Sequence, residues 1–203
     1  MSTLSQLAES LIGSEIVKLG NEISRRVREG EKIYNYTIGD FDPDIFPIPP
    51  RLEEEIISCY KERYTNYPPA DGLAELREAV AAFVAEHLHV HYSPAEVQIA
   101  SGGRPLIYTL FKTIVDKDDK VIYAVPSWNN NHYTAMNHGR HCTIDAYPEN
   151  NFMPTVEDIK PHIPGATLLC LCTPQNPTGT TMSKETLEGI CDMILDENSR
   201  RQE

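Results

Sequence analysis

Four short apolar runs constrain this chain most: Val97–Ala100, Val121–Val125, Thr143–Tyr147 and Leu168–Cys172. Each has the length of a strand. The intervening segments carry helical spacing over Pro105 to Val115 and Asn130 to Gly139, with a shorter turn around Val156 to Ile159. Ser183 is placed to cap a last helix running to Leu195. Strands that return in the same direction need a crossover, and a helix supplies it. The expected fold is therefore α/β, three-layered, with a mostly parallel sheet covered by helices on both faces. After the last helix comes the polar run Asp196 to Glu203 with no strand behind it. A sheet built this way normally continues, so the chain is expected to stop partway through a domain.

The N-terminal third reads differently. Leu4, Leu7, Leu11, Ile12, Ile16, Ile23 and Val27 recur at helical spacing and Gly30 follows as a C-terminal cap. This predicts an amphipathic helical arm, broken near Gly13 or Gly20. Ile33 to Ile38 reads as a short strand ending at Gly39. From Asp40 to Pro50 four prolines alternate with Phe41, Ile45, Phe46 and Ile48, a stiff extended segment. The boundary is placed here: residues 1–45 as an arm or part of a small domain, residues 46–203 as the incomplete N-terminal portion of a larger one. Leu52 to Tyr60 is then a helix. Asp71 is expected to cap the next, whose core face carries Leu73, Leu76, Val80, Phe83, Val84 and Leu88. Ser93-Pro-Ala-Glu96 has the pattern of a capping box.

Composition narrows the function classes. With 18 basic and 30 acidic residues the net charge is −12, which argues against nucleic acid or an anionic membrane as partner. No apolar stretch approaches a membrane span, and residues 1–29 lack a signal-peptide core. The five cysteines are odd in number and fall mostly in strands or helices, as in a reduced, cytoplasmic protein. Cys170 and Cys172 would share a strand face, but two thiolates do not make a structural zinc site, and buried small hydrophobes are the plainer reading. His87, His89 and His91 lack a further ligand type nearby. No metal site is assigned.

Chemistry should sit where the strands end, because open α/β sheets bind ligands at the carboxyl ends of their strands. The first run leads through Ser101-Gly102-Gly103-Arg104 into a helix. Glycines let backbone amides approach an anion, and free amides at a helix start can bind it. The pattern is neither Walker A nor the full dinucleotide fingerprint, and a tight turn without a ligand remains an alternative. The second run ends in Pro126-Ser127-Trp128, which puts the only tryptophan at the same edge. An indole there can stack on a flat ring or serve as ordinary core. The fourth ends in Pro174-Gln-Asn176-Pro177-Thr-Gly179, a stiff turn that offers one amide donor and acceptor. A phosphate cradle, an aromatic plate and an amide together fit a planar, phosphorylated heteroaromatic ligand.

The ordered motifs Tyr67…Gly72-Leu-Ala-Glu-Leu-Arg77, Ser101-Gly102-Gly103, Pro126-Ser127-Trp128 and Pro174-Gln-Asn176-Pro177-Thr-Gly179 resemble the class I/II aminotransferases. These are pyridoxal-phosphate enzymes of the aspartate aminotransferase type, and the resemblance runs from about residue 30 onward. It implies the large domain of fold type I enzymes and transamination between an amino acid and a 2-oxo acid. Aspartate is the default substrate by family frequency. Pyridoxal 5'-phosphate is the implied cofactor, and a homodimer with a shared active site the implied assembly. By the same resemblance the backbone amides of Gly103 and Arg104 would hold the cofactor phosphate, Trp128 would stack on its ring, and Asn176 would donate to its phenolic oxygen. Tyr67 would reach the phosphate of the neighbouring subunit, and Gly39 would lie beside the substrate carboxylate.

Departures accompany the resemblance. The family's Schiff-base lysine, its pyridinium-binding aspartate and its carboxylate-gripping arginine all come after the asparagine turn. None of the eight lysines here has the family's lysine context, so no catalytic residue is assigned. Asn131 stands where many relatives carry tyrosine, and Arg104 is bulkier than the small residue common at its place. The implication is an enzyme as a full-length protein and an inactive chain by itself. A non-catalytic interaction module, or a carbon–sulfur lyase on the same scaffold, are the alternative readings.

Overall fold

The computed structural model describes residues 3–11, 13, 15–37 and 39–201. Two compact units divide the chain, residues 1–99 and residues 100–203.

In the first unit the arm is helical, as α1 (Gln6–Ser10) and α2 (Glu15–Arg28), so the break falls near Gly13 as expected. Gly30 adopts φ +92°, and the Glu31 N–H returns to the Arg26 carbonyl, which closes the helix end in the manner of a glycine cap. The segment 33–37 is not a strand; Ile38 lies outside the described residues. A strand is held by its neighbour's ladder, and among the described residues none pairs with it. The Phe41 and Phe46 rings meet tilted by 58°, with centroids 5.0 Å apart, within the proline-rich stretch. Helices α3 (Pro50–Lys61) and α4 (Ala74–Leu88) follow.

Asp71 does not cap α4. Leu73 holds the cap position without a side-chain bond, while the Asp71 carboxylate pairs with Arg77 at 3.0 Å. The Asp71 carbonyl instead accepts from the Ile99 N–H at 3.1 Å. Nor does the expected core face of α4 find cover: Ala81 is buried, but Leu73, Leu76, Phe83 and Leu88 are exposed and Val80 and Val84 half-buried. The Ser93–Glu96 capping box forms around a single 3-10 turn. Val97 is extended, but among the described residues no strand forms a ladder with residues 97–100, so the first expected strand is absent for the same reason as 33–37.

The second unit has the expected layers. Helix α5 (Gly103–Ile114) leads to β1 (Lys120–Val125), α6 (Asn130–Met136), β2 (Arg140–Asp145), α7 (Val156–Ile159), β3 (Ala166–Cys170) and α8 (Lys184–Arg200). The strands are all parallel in the order β2-β1-β3, so β1 is central. Its residues alternate between two cores, as a strand buried on both faces requires. Ile122 packs with Ile144, Ile159, Ile163 and Ile190 on the α7 and α8 side. Val121 and Tyr123 pack with Phe111, Val115 and Tyr133 on the α5 and α6 side. Ser183 caps α8, its hydroxyl accepting from the Thr186 N–H. The helix outruns its apolar stretch and continues to Arg200, where Arg201 reaches back to the Ile163 carbonyl at 3.2 Å. Ion pairs at i,i+4 spacing, Asp196 with Arg200 and Glu197 with Arg201, support the added turn, so the polar run extends the helix and does not end it.

No helix of the structure is long and apolar enough to cross a membrane among the described residues.

Candidate active site at the strand ends

The second unit brings three of the sequence motifs to one edge. Gly102 precedes α5 with φ +100°, a conformation that glycine adopts without a Cβ penalty. Nothing lies within 4 Å of where a Cβ on Gly102 or Gly103 would stand, so the backbone here is open to an approaching group. The first amides of a helix have no acceptor inside it. At this end Gly102 N–H bonds to the Ala100 carbonyl, and Pro105 has no N–H to offer. The amides of Gly103 and Arg104 are left pointing out of the helix start, the two that the family resemblance nominates.

Trp128 follows β1 by three residues and is 37% exposed. Arg104 links it to the α5 start: the guanidinium carbon stands 5.7 Å from the indole centroid. The asparagine turn is joined to the same edge by a residue the sequence reading did not single out. Gln175 is buried, and its side-chain amide donates to the Pro126 carbonyl at 2.6 Å. The turn is also closed on itself. Gln175 N–H donates to the Thr180 carbonyl, and Gly179 N–H to the Gln175 carbonyl, both at 2.7 Å. The Thr173 hydroxyl accepts from Met182 N–H at 3.0 Å. With Gln175 turned inward and anchored, its neighbour Asn176 is exposed with a side-chain amide free to meet a ligand. Its place between Pro174 and Pro177, inside the stiff turn, is the sequence signal that bears on Gln175.

A shallow cleft opens between the strand ends, lined by Ser127, Asn130, Cys170, Cys172, Gln175 and Met182 among others. Burial pushes the Cys170 thiol up to about 12. It therefore stays protonated, and a poor nucleophile, at any pH well below that value. Iodoacetamide at about pH 8 is expected to modify the exposed Cys59, Cys172 and Cys191 while sparing Cys170. Peptide mapping reads the outcome, and labelling of Cys170 as fast as the others would contradict it.

Tyr67 and Gly39 belong to the first unit. Tyr67 is fully exposed in the loop between α3 and α4, and Gly39 lies in exposed coil beyond the arm. Among the described residues no three His, Cys, Asp or Glu side chains cluster in a way that could hold a metal.

Comparison with known proteins agrees with this layout. The family model for class I and II aminotransferases matches residues 33–200. A probable aspartate/prephenate aminotransferase of Thermus aquaticus is 30% identical over 199 residues, 96% of this chain and 51% of that protein. An aspartate aminotransferase of Bacillus subtilis is 28% identical over 161 residues, 78% of this chain and 41% of its own length. Among solved structures, the aspartate aminotransferase from Thermus thermophilus with maleate superposes with a TM-score of 0.88 at 27% identity. That match covers 98% of this chain and 52% of the other. The chain thus spans about half the length of the relatives it matches.

Proposed function

Because the chain belongs to the class I and II aminotransferases, we propose that it supplies the cofactor-binding edge of a pyridoxal-phosphate enzyme that moves an amino group between an amino acid and a 2-oxo acid. The observation that carries this is the convergence at one sheet edge of the open Gly102-Gly103 backbone, the Trp128 indole and the Gln175-anchored Asn176 turn. These groups suit the cofactor: amides for its phosphate, an aromatic face for its ring and an amide donor for its phenolic oxygen.

When bound, pyridoxal phosphate serves as an electron sink for bonds at the amino acid's α-carbon. The contribution of this chain is placement and charge. Gly103 and Arg104 N–H groups anchor the phosphate at the start of α5, where the helix dipole favours an anion. Trp128 fixes the plane of the ring. The Asn176 side chain donates to the phenolic oxygen and stabilises its anionic form. Gln175 acts through Asn176, as a positioning residue. From the family resemblance, Tyr67 reaches the phosphate of a neighbouring subunit and Gly39 lies beside the substrate carboxylate, in a homodimer with a shared site. Aspartate is the proposed substrate, in keeping with the names of the relatives. The exposed and half-buried free thiols fit a reducing cytoplasm. Since none of the eight lysines has the family's lysine context, this 203-residue chain by itself is proposed to turn over no substrate.

Pyridoxal phosphate titrated into the chain is expected to quench the emission of Trp128. Trp128→Ala and Asn176→Ala, read by equilibrium dialysis, should each weaken binding by about tenfold, the loss of one stacking or charge-assisted contact. Binding indifferent to both substitutions would overturn this reading.

A further inference from the structure

The backbone contacts proposed above leave the Arg104 side chain without a task, yet it is placed distinctively. Its guanidinium lies over the Trp128 indole, where the ring quadrupole attracts a cation. Arg104 is the second residue of α5, so the guanidinium over the indole is tethered beside the Gly103 and Arg104 amides. A single ligand with its anion on those amides and its ring on Trp128 would meet that guanidinium at the indole. Guanidinium and ligand ring compete for it.

We propose that Arg104 is a specificity-determining residue that yields the Trp128 face only to a ring bearing an anion. The displaced guanidinium stays beside the helix start, within reach of a phosphate bound there, and a charge-assisted hydrogen bond to phosphate outweighs the exposed contact with the indole. A ring without phosphate displaces the guanidinium and offers it nothing in return. Arg104 thereby favours phosphorylated over unphosphorylated pyridoxal. The inference rests on the cofactor reading above.

Trp128, the only tryptophan of the chain, is the reporter. The 203-residue chain is compared with R104Q and R104K; Arg104 is exposed, and matching circular dichroism confirms that the variants fold. Without ligand, acrylamide should quench Trp128 more efficiently in R104Q, because the ring face is uncovered. Pyridoxal should bind R104Q about two- to fivefold more tightly than the parent, the equivalent of an exposed cation–π contact. Pyridoxal phosphate should bind R104Q about tenfold more weakly, the equivalent of one hydrogen bond to a charged group. R104K should recover part of the phosphate-dependent affinity. If pyridoxal phosphate binds but both ligands respond to R104Q with the same sign, or acrylamide access is unchanged, Arg104 has no such role while the cofactor reading survives. If pyridoxal phosphate binds neither the parent nor the variants, both fall.

Discussion

Replacing Ile122 by alanine is expected to destabilise the second unit by about 3 kcal/mol, the usual range for truncating a buried aliphatic side chain. Ile122 is 0% exposed at the middle of the central strand, with Ile144 on β2, Ile159 on α7 and Ile190 on α8 around it. A strand flanked on both sides cannot close over the lost volume without moving its ladder partners Cys142 and Leu169. The cavity therefore adds to the lost transfer energy. Urea denaturation should show a lower midpoint with an unchanged slope. Leu195→Ala, at a residue of α8 that is 67% exposed, serves as the comparison and should change stability by about 0.5 kcal/mol or less. Equal midpoints for the two variants would contradict the assignment of Ile122 to the core.

Gly72→Val should be at least as damaging, and in the other unit. Gly72 has φ +99°, and a Cβ there would stand 2.5 Å from the Ile99 Cβ and 2.6 Å from its Cγ1. The backbone cannot drift away freely, because the neighbouring Asp71 carbonyl is bonded to the Ile99 N–H and Gly72 N–H to the Pro69 carbonyl. Conformational strain of about 1–2 kcal/mol adds to the steric overlap. Amide hydrogen exchange should report loss of protection in α4. A cycle with Gly72→Ala and Ile99→Gly separates the causes: removing the Ile99 side chain should recover the steric part and leave the dihedral part. Additive effects of the two substitutions would refute the close approach. In the sequence Gly72 is one residue of a motif; its positive φ and its approach to Ile99 explain why glycine is needed there.

The strands of the second unit were legible because β1 is buried on both faces, so almost every residue of Val121 to Val125 must be apolar whichever way it points. The helices that cover it show their period and their caps for a related reason: each has one wet and one dry side. Asn176, Trp128 and the Gly102-Gly103 turn could be nominated from residue type, since few side chains supply an amide, an indole or a left-handed backbone. Gln175 escaped because nothing in its immediate neighbours shows that its amide will turn inward to the Pro126 carbonyl, 49 residues away in the chain. The Arg104 contact with Trp128 escaped for the same reason.

The errors fall where local pattern meets a missing partner. Residues 33–37 and 97–100 have strand character, but a strand exists only as one side of a ladder, and sequence alone does not say whether the other side is present. The apolar stripe of α4 likewise announces a helix without saying what covers it. Asp71 has the right residue type to cap that helix, but Leu73 takes the cap position and the Asp71 carboxylate pairs with Arg77, while the Asp71 carbonyl is held by the distant Ile99 amide. Periodicity, caps and turn chemistry are short-range, and residue identity carries them. Which strand end faces which turn, and which side chain anchors the asparagine, depends on contacts between residues far apart in sequence, so those were settled only when the sheet brought them to one edge.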